Sequence, residues 1–132
     1  MLDSLFQAVF GKRPNYARRW PRLLMTEPAR LSLPDGRELP VMLMQLSVGG
    51  ARLKSSARFT PGETVILSID IGLGLKPNIT AQVLHVRKEP RGFHYVTGLC
   101  FVDIDPEKIR NIAEYISQEQ QRRRKGAIIG QN

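Results

Sequence analysis

A small antiparallel β-barrel of six strands, closed by a C-terminal α-helix and preceded by a short basic segment, is the fold class the sequence predicts. Three observations predict it. From Leu23 onward, runs rich in Val, Ile and Leu alternate with turns centred on Pro and Gly, a spacing typical of an all-β domain. Within one run, Val65, Leu67, Ile69 and Ile71 alternate with Ser68 and Asp70, the period of a strand with one buried face. After Asp105-Pro106-Glu107 the period changes to that of a helix. A barrel is preferred to an open sheet because closure removes exposed edges.

The elements follow in order. Leu2, Leu5, Phe6, Val9 and Phe10 fall at helical spacing, one apolar stripe on a short helix that Gly11 ends. Lys12 to Arg22 reads as an irregular basic linker punctuated by Pro14 and Pro21. Turns are expected at Pro34-Asp35-Gly36, Gly49-Gly50, Pro61-Gly62, Gly72 to Pro77 and Pro90-Arg91-Gly92. Asp105 suits the N-cap of the closing helix, Pro106 its first position, and Glu107 its positive end. Ile109, Ile112, Ala113 and Ile116 mark the face expected to pack on the barrel. Past Gln118 the chain turns polar and then basic, and its end is expected to fray. The chain thus divides into a helix and basic linker (1–22), a barrel with its helix (23–120) and a basic polar tail (121–132).

Composition agrees with one globular unit. The 132 residues are 42% hydrophobic and 24% charged, and no apolar run is long enough to span a membrane. Met1 to Ser4 carries no basic n-region, and Cys100 is the single cysteine, so a soluble cytoplasmic domain is expected. The net charge of +8 is unevenly distributed. Residues 1–22 carry five basic side chains against Asp3, residues 122–132 carry four with no acid, and residues 23–121 hold eleven of each sign. Such terminal excess suits a small anionic ligand, an acidic partner or a membrane surface as well as a long polymer. The C-terminal run reads equally as a solubilising tail.

Nothing in the sequence marks an enzyme or a resident cofactor. His85 and His94 have no cysteine or carboxylate at metal-ligand spacing, and both, like Cys100, read as structural. Ser47 does not sit in a nucleophile elbow, and the glycines at 72–74 form no phosphate loop. Phe93 and Tyr95 read as barrel packing rather than a base-stacking pair, so no DNA or RNA partner is expected.

Two constellations concern binding. In Arg18-Arg19-Trp20-Pro21-Arg22, Pro21 disfavours helix at Trp20, and an extended chain puts Arg18 and Arg22 on one side with Arg19 opposite. Two guanidinium forks so placed can clamp a phosphate or pair with guanine O6 and N7, although any arginine-rich linker carries the same pattern. In the strand entering Gly49-Gly50, Met42, Met44, Leu46 and Val48 form one apolar face, with Gln45 and Ser47 on the other. Those two polar groups can read adjacent edges of a base, and Gly50 lets a ligand approach the backbone; the same pair also suits an ordinary solvent-facing strand.

In this order the segments resemble a PilZ domain, the bacterial receptor module for cyclic di-GMP. That family carries R-x-x-x-R in a flexible N-terminal segment, matched by Arg18 and Arg22, then D/N-x-S-x-x-G on the barrel, matched by Ser47 and Gly50. Leu33 to Leu39, Gly49 to Leu53 and Gly98 to Asp103 agree as well, and the likeness covers residues 15–120. The departure is Gln45, where the family has Asp or Asn; glutamine keeps an amide but adds a methylene and a rotatable bond. The resemblance implies that Arg18, Arg22 and Arg19 hold phosphates and guanine edges, that Gln45 and Ser47 hold a guanine edge, and that Gly50 permits the close turn. It further implies a linker that orders around the nucleotide and repositions residues 1–17 as the output to a protein partner. The alternative is an interaction adaptor that binds no nucleotide, with the Leu2 to Phe10 stripe as its contact surface or, beside Lys12 and Arg13, as a membrane contact.

Overall fold

The computed structural model describes residues 21–72 and 74–130, so the expected helix over 2–10, Arg18 and Arg19 lie outside the described residues. Six antiparallel strands close into a barrel in the order β1-β2-β3-β6-β5-β4, with β4 returning to β1. The strands are β1 (Leu23–Ser32), β2 (Glu38–Leu46), β3 (Gly50–Ser55), β4 (Thr64–Ser68), β5 (Asn78–Lys88) and β6 (Tyr95–Phe101), followed by α1 (Pro106–Gly130). The expected turns connect them. In the first, the Asp35 carboxylate accepts from the Arg37 amide at 3.0 Å and from Arg37 Nε at 2.7 Å, while Gly36 takes a left-handed φ of 91°. Those bonds hold the Asp35 carboxyl below the usual carboxylate range.

The barrel interior is filled by alternate residues of every strand. Leu31, Leu43, Leu53, Leu67, Ile79 and Phe101 are fully buried, and Val65, Leu67, Ile69 and Ile71 all point inward as the alternation predicts. The β2 expectation requires correction. Val41 and Leu43 are buried and Met42 is exposed, so the inward face is Val41, Leu43, Leu46 and Val48 rather than one containing Met42 and Met44. The register against β3 slips between Leu43 and Gln45, a bulge that moves inward-facing parity from odd to even positions. β5 carries a matching slip between Val83 and His85.

The closing helix begins as the sequence predicts. Asp105 Oδ1 accepts the Lys108 amide at 2.9 Å, and Ile112 and Ile116 are buried against the barrel with Ile109 and Tyr115 packed beside them. Burial pushes the Tyr115 phenol up. Ala113 is exposed, because a face centred on positions 109, 112 and 116 leaves it on the rim. The helix does not stop near Gln118 but continues to Gly130. Gln118 to Lys125 are all good helix formers, Glu119 pairs with Arg122 at 2.7 Å, and the Arg123 guanidinium donates to the Leu24 carbonyl. The basic run is therefore largely helical, and Arg123 reaches the start of β1. Phe93 also departs from expectation: it lies 85% exposed on the β5–β6 loop, not in the packing. His85 and His94 are exposed as well, whereas Cys100 is buried as expected.

Truncating the helix face should be costly. Ile112→Ala is expected to lower unfolding free energy by about 2–5 kcal/mol through transfer and cavity terms. Asp105→Ala should remove only about 1 kcal/mol by uncapping the helix. Urea denaturation of the two variants should reproduce that order.

Candidate ligand-binding site

The two bulges lie on either side of an open cavity on the outer wall. Pairing across the strands sets Leu24 of β1, Gln45 of β2, Arg52 of β3, Gly98 of β6 and His85 of β5 in one row. Four of these, Gln45, Arg52, Gly98 and His85, line a cavity of ≈ 270 Å³, joined by Ser47, Gly50 and Ala51 at the β2–β3 turn and by Leu84, Leu99 and Arg22.

Ser47 is set deeply. It is buried, its Oγ accepts the Gly49 amide at 3.2 Å, and its hydroxyl donates to the Gly50 carbonyl at 3.4 Å. Its own amide donates to the same carbonyl at 2.9 Å, and the Phe101 amide bonds Gly49 O at 3.0 Å, tying the turn to the end of β6. The serine thus shapes the backbone that carries Gly50 to the cavity. Arg22 and Arg52 bring positive charge, His85 adds an imidazole, and no carboxylate stands among the described lining residues. Anions gain from such a surface, and guanidinium forks favour planar or phosphate oxygens.

Of the six residues singled out in the sequence, the structure gathers Arg22, Gln45, Ser47 and Gly50 around this cavity, and Arg18 and Arg19 fall outside the described residues. Arg52, Leu84, His85 and Gly98 also line it without having been singled out. Arg52 was within reach of period-2 reasoning, lying two residues beyond Gly50 on the same strand. His85 was not, because an unbroken count along β5 points it inward.

The family model of the PilZ domain matches residues 16–118. The chain belongs to the PilZ domain family. Among solved structures, this PilZ chain is similar to Escherichia coli YcgR in complex with c-di-GMP, at 22% identity and a TM-score of 0.67 over 85% of this chain and 50% of that one. It is also similar to the Bacillus subtilis inhibitor of motility MotI/DgrA, at 16% identity and a TM-score of 0.68 over 80% of this chain and 51% of the other. The PilZ domain of YcgR with c-di-GMP matches at 21% identity and a TM-score of 0.66, covering 83% of this chain and 96% of that domain. The chain therefore spans about half the length of YcgR and MotI and nearly all of the isolated domain. No curated protein sequence matches it. Among the described residues, no helix is long and apolar enough to cross a membrane.

Removing the Ser47 hydroxyl tests its part in the turn. Ser47→Ala is expected to cost about 1 kcal/mol of stability. Amide hydrogen exchange at Gly49 should accelerate while that of the β4–β5 pair does not change; equal exchange at Gly49 would contradict the turn assignment.

Proposed function

We propose that this PilZ chain is a receptor for cyclic di-GMP that binds rather than transforms its ligand. The observation that carries this reading is the convergence of Arg22, Gln45, Ser47 and Gly50 on one cavity with no carboxylate among its described lining residues, with Arg52 beside them. Cyclic di-GMP presents two phosphates and two guanines, so a small cationic rim next to an amide-bearing wall supplies partners of both kinds. Arg22 meets a phosphate or a guanine edge from the β1 side, and Arg18 and Arg19 add forks from the preceding segment. Gln45 offers its amide to a guanine edge from the barrel wall. Gly50 keeps the turn low enough for approach.

In this reading the basic segment orders on the nucleotide, at an entropic cost the contacts exceed. The ordering repositions residues 1–17 and presents a changed surface to a protein partner. A second reading, an adaptor that binds no nucleotide, is favoured by one observation, the Gln45 side chain in place of the shorter Asp or Asn of the family motif.

Calorimetric titration with cyclic di-GMP, against GMP and cyclic di-AMP, separates the two. The receptor reading expects heat with cyclic di-GMP and an affinity lowered about tenfold or more in Arg22→Ala, the loss of one bidentate contact. Unchanged affinity in that variant would overturn the assignment of Arg22, and no heat at saturating ligand would favour the adaptor. Gln45→Asn, which restores the family's shorter amide, is expected to tighten binding by a few-fold, and unchanged affinity would remove Gln45 from the contact set.

A further inference from the structure

Resting on the receptor reading, we propose that His85 is a ligand contact of this site, whose protonated imidazole makes capture of the anionic dinucleotide tighten as pH falls. The placement of the ring carries the argument. A Cβ built at Gly98 would lie 2.4 Å from His85 Nε2 and 2.5 Å from Cε1, so the far edge of the imidazole occupies the space a side chain at 98 would fill. Gly98 has no left-handed φ that demands glycine, and glycine weakens a strand interior, so the ring accounts for its presence there. The bulge between Val83 and His85 is what turns this side chain outward, and both His85 and Gly98 line the cavity.

The charged surroundings set the sign. Arg52 faces the ring across β6 from β3, and Arg22 faces the same cavity from ahead of β1. On β5 itself the exposed neighbours are Leu84, Arg87 and Lys88, and β6 sets Gly98 beside the ring. On the β3–β4 loop the Glu63 carboxylate is engaged with the Thr60 amide. A protonated imidazole adds one positive charge to a wall that already carries Arg22 and Arg52, so proton uptake and phosphate binding favour each other. Histidine is the side chain that gains its charge between about pH 8 and 5, whereas the phosphodiesters of the ligand stay ionised throughout that range.

Calorimetry of the full chain with cyclic di-GMP at about pH 6 and pH 8 tests this. The expected result is about tenfold tighter binding at the lower pH, the effect of one added charge-assisted contact. His85→Gln, an exposed and fold-neutral change, should abolish the pH dependence, and His94→Gln, on the β5–β6 loop, should retain it. Gly98→Ala should weaken binding by pushing the ring into the cavity, and adding His85→Ala to it should restore part of the loss. The same pH ratio in the unmodified chain and in His85→Gln would overturn the assignment of His85 alone. Absence of binding by the unmodified chain at both pH values would overturn the receptor reading and this inference together.

Discussion

Parity is the constraint on which this molecule depends. Inside a closed barrel, every second residue of a strand faces the core, so a single inserted residue reverses the facing of everything beyond it. An unbroken count from Val41 and Leu43 would send Gln45 inward, and one from Ile79, Ala81 and Val83 would do the same to His85. Both strands break the count once, and burial resumes at Leu46 and in part at Val86. The bulges let the core keep its leucines and valines while two polar side chains reach the outer wall. An amide or imidazole left inside without partners would cost about 1–3 kcal/mol.

What the bulges expose, the strand order assembles. Gln45 and His85 are forty residues apart in sequence, yet β3 and β6 lie between their strands and bring Arg52 and Gly98 into the same row. Charge follows this arrangement. Residues 23–121 balance eleven basic against eleven acidic side chains, so the positive character of the cavity is local and arises from Arg22 and Arg52 without an acid among the lining residues. The helix adds to this setting, because Arg123 bonds the Leu24 carbonyl two residues from Arg22. The basic C-terminal run therefore meets the start of β1 beside the site.

Much of the fold was legible beforehand because it rests on local rules. The turns at Asp35-Gly36 and Pro61-Gly62, the alternation from Val65 to Ile71, and the Asp105 cap each follow from the residues within a few positions. The misreadings share a different cause. Alternation continued through the bulge puts Met42 and Met44 on the buried face, because the apolar text of β2 does not mark the slip. Local signals predict fraying past Gln118, because the contact of that stretch with β1 is long-range. The chemistry of Phe93 suits packing, although its loop projects it into solvent. In the site, Arg22, Gln45, Ser47 and Gly50 were legible from motif spacing, while Arg52, Leu84, His85 and Gly98 became apparent only through cross-strand pairing.

By itself, then, the sequence determined the strand-turn rhythm, the capped helix, the segregation of charge to the two ends, and most residues of the PilZ family motifs. These are short-range properties, set by backbone preference and by the period of apolar side chains. Only the tertiary structure decided that His85 faces outward, that Gly98 leaves room for the imidazole, and that the two arginines border one hollow with no carboxylate among its described lining residues. Register between distant strands decides these features, because a slip of one residue inverts every side chain beyond it while leaving the local pattern nearly unchanged.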